Sequence, residues 1–343
     1  MKVRKIGVVS LSSGILGEDF VSHEVRIGIE RLKKYGIEVE FLPNSTKGIE
    51  FLKNNPKARA KDLIDAFNDD SIDMILCAIG GDDTYRLLPY LFENNELEKA
   101  VKQKIFLGFS DTTINHFMLN KVGIKTFYGQ AFLPDICELS NEMLSYSKHF
   151  FEELITYGKI KKIFPSDVWY NEREDFSKNG IGISMAEHPN RGFELLRGSA
   201  KFEGKILGGC LESIFDIFDN TRYEDSVYLC KKYEIFPNLD EWSDKILLLE
   251  TSEEKPKPEL FRKMILKLEE YGIFDVVSGL IIGKPQNEEY YEEYKQILLD
   301  EIKNKDLSIV YNINVGHSTP RCIIPFGVNA KVDIERQIIE FKE

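Results

Sequence analysis

Short apolar runs alternate with segments of helical periodicity through the first half of the chain, and the runs end in polar corners rich in glycine or serine. Residues 3–10 read as a buried strand that breaks at Ser12-Ser13-Gly14. Residues 23–35 carry apolar side chains at helical spacing and stop at Gly36; 37–41 is the next strand and 58–68 a helix. Residues 74–78 form a strand that ends in Gly80-Gly81-Asp82-Asp83-Thr84. Residues 85–91 are again helical, kinked or shortened by Pro89. Residues 105–107 are the strand before Gly108-Phe109-Ser110-Asp111. Such alternation predicts an α/β layer on a parallel sheet. Ligands of such sheets bind beyond the carboxyl ends of the strands. The three corners, at 12–14, 80–84 and 108–111, are therefore expected to converge on one cleft.

After Gly129 the periodicity weakens, with a helix expected over 150–157. Residues 165–189 are polar, charged and aromatic and read as a connector or lid. From Gly192 short runs around Gly204 and Gly208-Gly209 suggest small strands and turns, followed by a helix over 210–218. Residues 245–249 are an apolar strand ending at Glu250, 258–271 a helix, 279–283 and 308–312 further strands, and 330–341 strand-like. The predicted fold class is α/β. An amino-terminal parallel-sheet α/β domain (1–160) is joined by a connector (161–190) to a second, smaller α+β carboxy-terminal domain (191–343).

The formal net charge of −12 argues against binding a nucleic-acid polymer through its phosphates, though a small nucleotide-like substrate in a local pocket remains compatible. The five cysteines are scattered, without a CxxC, as in a reducing compartment. The apolar run at 6–9 is too short for a signal peptide, and no stretch reaches membrane-spanning length. A cytoplasmic protein is expected.

Ser110 sits where a strand turns sharply into a helix. That geometry lifts a hydroxyl clear of the sheet and aims the following N–H groups the same way, as in acyl-transfer hydrolases. The alternative is a simple Ser-Asp helix cap, and the spacing is not GxSxG. A serine nucleophile needs a base. Of five histidines, His317 alone lies in a loop just past a strand, in Val315-Gly316-His317-Ser318-Thr319-Pro320; a plain turn histidine is the alternative. The base needs an orienting carboxylate. Glu250, directly after the apolar run 246–249, fits that part, while Glu253 and Glu254 read as solvated.

The paired glycines of Gly80-Gly81-Asp82-Asp83-Thr84 let backbone approach a ligand closely. This loop resembles that of phosphofructokinase-like and NAD-kinase-like phosphotransferases, which makes a Mg²⁺-dependent phosphotransferase the rival reading. Alternatively one of its N–H groups joins that of Asp111 in an oxyanion hole. No metal-ligand motif, Walker A or GxGxxG occurs.

With Ser110, Glu250 and His317 in place, the chain resembles the LD-carboxypeptidase and microcin C self-immunity family of serine peptidases. The matching stretches include IGVVSLSSG, FLGFSDTTINHFMLN, GKILGGCLESI, ILLLETSEEKPKP and NVGHSTPRCIIPFG. The resemblance implies a two-domain hydrolase, usually dimeric, that needs no metal or cofactor. It implies Ser110 as nucleophile, His317 as general base, Glu250 as its orienter, and the N–H groups of Gly81 and Asp111 as oxyanion hole. One branch releases terminal D-alanine from muropeptides. The other cleaves the amide between an aminoacyl or peptidyl group and a nucleotide-like moiety. Cys210 after Gly-Gly, where the carboxypeptidase branch often has Asn, and Trp169 in the connector favour the second branch. There an aromatic of that loop stacks on the base, a role for which Trp169 has the flat face.

Overall fold

The computed structural model describes residues 2–342. Two sheets form its framework. The first has six strands in the order Glu38–Phe41 is edge, then Lys5–Val9, Met74–Cys77, Ile105–Gly108, Thr126–Tyr128 and Ile324–Phe326. The first five run parallel, and the last pairs antiparallel with Thr126–Tyr128. The interior strands Met74–Cys77 and Ile105–Gly108 are buried at every position, as continuous apolar runs between two layers of helix must be. The chain order reverses between Lys5–Val9 and Met74–Cys77, which is where an open α/β sheet forms its ligand crevice.

The second sheet has eight strands. Its centre is parallel: Lys201–Cys210, Lys245–Glu250, Gly279–Gly283 and Ile309–Ile313. Antiparallel partners flank it: Glu194–Arg197 on one side, Asn329–Asp333, Ile338–Lys342 and Lys162–Ile163 on the other. The mixed α/β architecture with a parallel first sheet and a second sheet-bearing region is thus present. Several details differ from the sequence expectation. Lys201–Cys210 is one continuous ten-residue strand rather than small strands and turns, and the helix after it spans only Leu211–Phe215. The tail beyond Asn329 is a hairpin of two strands, and the chain just before it returns to the first sheet.

Pro89 shortens the expected helix, which is α-helical only over Leu88–Phe92. It stands in the first turn of Leu88–Phe92, where no N–H is required, after a 3₁₀ turn at Thr84–Leu87. The connector carries a small hairpin, Val168–Tyr170 with Glu187–Pro189, tied to the His317 loop by Tyr170 N–H donating to Thr319 O at 2.8 Å. Among the described residues no helix is long and apolar enough to cross a membrane.

Candidate active site

Ser110 follows the buried strand Ile105–Gly108 and the extended Phe109 (φ −154°). Its own φ is +66°, a conformation a non-glycine residue holds only when its surroundings impose it. Those surroundings are specific. Ser110 N–H donates to Tyr128 Oη (3.2 Å), Thr113 Oγ1 donates to Ser110 O (2.7 Å), and Thr112 Oγ1 donates to Phe109 O (2.8 Å). The helix Thr113–Lys121 then leads away. A strained strand-to-helix elbow presents the hydroxyl.

The three corners do meet. Asp111 is buried, and its Oδ2 accepts from Ser12 Oγ (2.6 Å) and Thr84 N–H (2.8 Å), fastening the Ser12 and Gly80 loops to the elbow. Burial pushes the Asp111 carboxyl up to about 6, against the pull of those two hydrogen bonds. The loop at Gly80 passes so close that a methyl group there would lie 2.5 Å from Ser110 Oγ and 3.4 Å from Asp111 N. Ser13, Gly80, Gly81, Phe109, Ser110 and His317 line one cavity of about 1140 Å³.

Asp83 of this loop is held by Arg59, a fully buried guanidinium (Nη1–Oδ1 2.5 Å) that also donates to the carbonyls of Leu11 and Ser12. A carboxylate committed to that pair is a loop brace, which is not the part a phosphotransferase aspartate plays.

Glu250 ends the strand Lys245–Glu250 and is 1% exposed. Three donors satisfy it: Tyr128 Oη–H to Oε1 (2.6 Å), and the N–H and Nδ1–H of His317 to Oε2 (3.0 and 2.8 Å). Burial, with the Glu250 charge second, holds the Tyr128 hydroxyl well above its ordinary value, so it stays a donor. His317 is buried in the loop after Ile309–Ile313, its ring edge-on to Phe109 with centroids 5.1 Å apart. Its second nitrogen, Nε2, faces Glu253 Oε2 at 3.0 Å. Burial opposes the imidazolium, but the Glu250 charge and the hydrogen bonds to Glu250 and Glu253 outweigh it and raise His317 to about 10.

Gly316 explains how this loop comes so close to Glu250. Its φ is +72°, and a methyl group there would sit 2.1–2.2 Å from the Glu250 carboxylate. Gly316→Ala is expected to push Glu250 and His317 apart and to cost about 1–3 kcal/mol of stability. Urea unfolding measures the loss; a variant as stable as wild type would contradict it.

The structure therefore brings Glu250 and His317 into direct contact and places Ser110, Gly81 and His317 on one cavity wall. It puts Trp169 elsewhere. That ring is stacked on His188 (centroids 4.3 Å apart), has Lys284 Nζ 5.0 Å from its centre, and is not among the residues lining the cavity. The connector contributes Glu172, Arg173 and Phe176 instead. Sequence reasoning also missed two residues. Tyr128 carried a weak signal, a hydroxyl at the carboxyl end of a strand. Glu253 carried none that separates it from Glu254.

Among the described residues, the one grouping with spacing for a metal is Cys210, Glu250 and His317, whose ligand atoms lie within 4.8 Å of one another. Burial holds the Cys210 thiol well above its ordinary value, with Glu212 and Glu250 adding to the effect, and Glu250 and His317 are already bonded to each other.

Comparison with known proteins places these features in context. Residues 6–129 match the LD-carboxypeptidase N-terminal domain and 203–332 the LD-carboxypeptidase C-terminal domain. A solved MccF-like protein from Streptococcus pneumoniae, in complex with AMP, is 65% identical over 99% of both chains, with a TM-score of 0.98. The microcin C7 self-immunity protein MccF of Escherichia coli is 23% identical, covering 92% of this chain and 87% of its own length. A structure of MccF with aspartyl sulfamoyl adenosine superposes with a TM-score of 0.79 at 22% identity, over 100% of this chain and 97% of that one. The putative carboxypeptidase YocD of Bacillus subtilis is 24% identical over 97% of this chain and 95% of its own.

Proposed function

The chain belongs to the LD-carboxypeptidase family of peptidases, and from that premise we propose that it is a Ser-His-Glu hydrolase cleaving the amide of an aminoacyl or peptidyl nucleotide-like substrate. The observation that carries the reading is the unbroken chain of contacts from Tyr128 through Glu250 to His317, beside a serine held at positive φ on the same cavity.

Glu250 fixes the imidazole with its proton on Nδ1, which leaves Nε2 as the atom that takes the Ser110 proton. Ser110 attacks the carbonyl carbon. The N–H groups of Gly81 and Asp111 receive the developing oxyanion, in the position that the close pass of the glycine loop allows. His317 then protonates the leaving amine, and water resolves the acyl-enzyme by the reverse path.

Nε2 must be unprotonated to begin, and Glu253 opposes that. Replacing Glu253 with Gln removes one of the two carboxylates that raise the imidazole. Activity that depends on neutral His317 rises with pH through its pKa. The acid limb of the kcat/KM profile is therefore expected to move to lower pH in Glu253→Gln. A pH-rate profile checks this, and a limb that stays put would contradict it.

The nucleotide branch is supported by the AMP complex of the 65% identical protein and by the size of the cavity, which holds the exposed rings of Phe20 and Phe176. The family relationship to carboxypeptidases sustains a second reading, release of D-alanine from muropeptides. The test is hydrolysis of an aminoacyl sulfamoyl adenosine against a muropeptide tetrapeptide, with Ser110→Ala as control. Faster cleavage of the first is expected; preference for the second overturns the branch and keeps the mechanism.

A further inference from the structure

We propose that a second, smaller cavity beside Ser110 is the subsite for the acyl group, and that Glu253 makes it selective for an aminoacyl group with a free, protonated α-amine. The inference rests on the hydrolase reading above and narrows its substrate from aminoacyl or peptidyl to aminoacyl.

Ser110 lies in the walls of two cavities at once. The larger is the mainly apolar space already described, with room for a nucleoside-sized leaving group. The smaller, of about 360 Å³, shares Ser13, Gly81, Ser110 and Glu253 with it and is lined further by Asp82, Asp83, Glu212 and Glu254, against Lys53 and Arg222. Most of these charges are engaged. Asp83 is held by Arg59, Glu254 by Arg222, and Glu212 by the N–H and Oγ–H of Ser252. Glu253 is different. Its side chain is 58% exposed, it belongs to the walls of both cavities, and its ion-pair partner is the Nε2 of His317.

That contact sets a requirement. Nε2 is the atom that must take the proton from Ser110, and while Glu253 holds it the ring stays an imidazolium and cannot do so. A productive substrate has to draw Glu253 off. A cation next to the reacting carbonyl does this without leaving the carboxylate unpaired. The α-ammonium of an aminoacyl group is such a cation, because it stands on the carbon bonded to the carbonyl carbon that Ser110 attacks. An N-acylated residue, which is what a peptidyl substrate presents, has a neutral amide there. It would leave Glu253 on His317 and put an uncharged group into a cavity rich in carboxylates. Glu253 thus exchanges one cationic partner for another as the substrate enters, and the same movement frees the base.

The experiment uses alanyl sulfamoyl adenosine and its N-acetyl derivative, whose small neutral side chain isolates the effect of the amine. Wild type is expected to favour the free amine by on the order of 10- to 100-fold in kcat/KM, the range of a hydrogen bond to a charged group. Glu253→Gln is expected to lose most of that preference by two routes: a higher KM for the free amine and a higher kcat for the N-acetyl compound. A purely structural role for Glu253 would lower both substrates together. Equal rates on the two compounds in wild type, or an undiminished preference in Glu253→Gln, overturns the inference while the hydrolase reading stands. Cleavage of a muropeptide tetrapeptide but of neither adenosine compound overturns the nucleotide branch, and this inference with it.

Discussion

Ser110→Ala retains its fold and loses on the order of 10³-fold or more of its turnover, the scale seen when one member of a catalytic unit is removed. The fold survives because the elbow is held by groups the substitution does not touch. The backbone of Ser110 keeps its bonds to Tyr128 Oη and Thr113 Oγ1, and Asp111 still pins the neighbouring corners through Ser12 and Thr84. Alanine inherits the positive φ of 66°, so a small loss of stability that serine already bears is carried over, not created. What disappears is the hydroxyl that stands against Gly80, on the cavity that His317 also lines. Steady-state kinetics measure the loss; near-wild-type turnover in Ser110→Ala would remove Ser110 from the mechanism.

Glu250→Gln is expected to be almost as damaging, on the order of 10³- to 10⁴-fold in kcat, comparable to the change of an orienting aspartate to asparagine in a serine-protease triad. Glu250 receives three donors on two oxygens. Glutamine offers one oxygen and one NH₂ group in the same volume, so a donor must then face either the Tyr128 hydroxyl or the Nδ1–H and N–H of His317. If the amide oxygen turns to Tyr128, the ring loses the acceptor that fixes its tautomer. If it turns to His317, a buried hydroxyl loses its partner and the support of Ser110 N–H by Tyr128 is disturbed. The variant also carries a pH signature in stability. The imidazole of His317 is raised in the folded state, to about 10, by Glu250 and Glu253. Its stabilising contribution is full below the unfolded histidine value of about 6.5 and is lost as pH rises through the folded value. The stability gap between wild type and Glu250→Gln should therefore be wide near neutrality and narrow above pH 10. Denaturant melts across that range measure it, and a gap that widened with pH would contradict the assignment.

The parts of this site that could be read from the sequence are those encoded by neighbours in the chain. An apolar run, a glycine and Ser110-Asp111-Thr112-Thr113 describe an elbow without knowledge of anything distant, and four apolar residues before Glu250 place a carboxylate at a strand end. The parts that could not be read depend on residues far apart. Tyr128 bonds to Glu250 across 122 positions, and Glu253 meets His317 through a loop whose path no local pattern specifies. Strand Ile324–Phe326 joins the first sheet through a partner two hundred residues earlier. Lys201–Cys210 was disguised by its glycines, which weaken strand propensity. Gly209 stands there because Thr113 packs against its backbone: a methyl group would lie 2.4 Å from Thr113 Oγ1, the oxygen that accepts from Cys210 N–H at 2.9 Å. The same close approach links the second sheet to the helix that follows the nucleophile. Trp169 is also set by a distant partner: one face of its ring is stacked on His188 of the same hairpin.

The most direct test of the account is to quench the enzyme during turnover of the substrate it cleaves and to map where the acyl group resides. The acyl mass is expected on the peptide that contains Ser110, with none on Ser110→Ala and slow acquisition in His317→Ala. Full turnover with Ser110 never acylated, and with Ser110→Ala as fast as wild type, would contradict it.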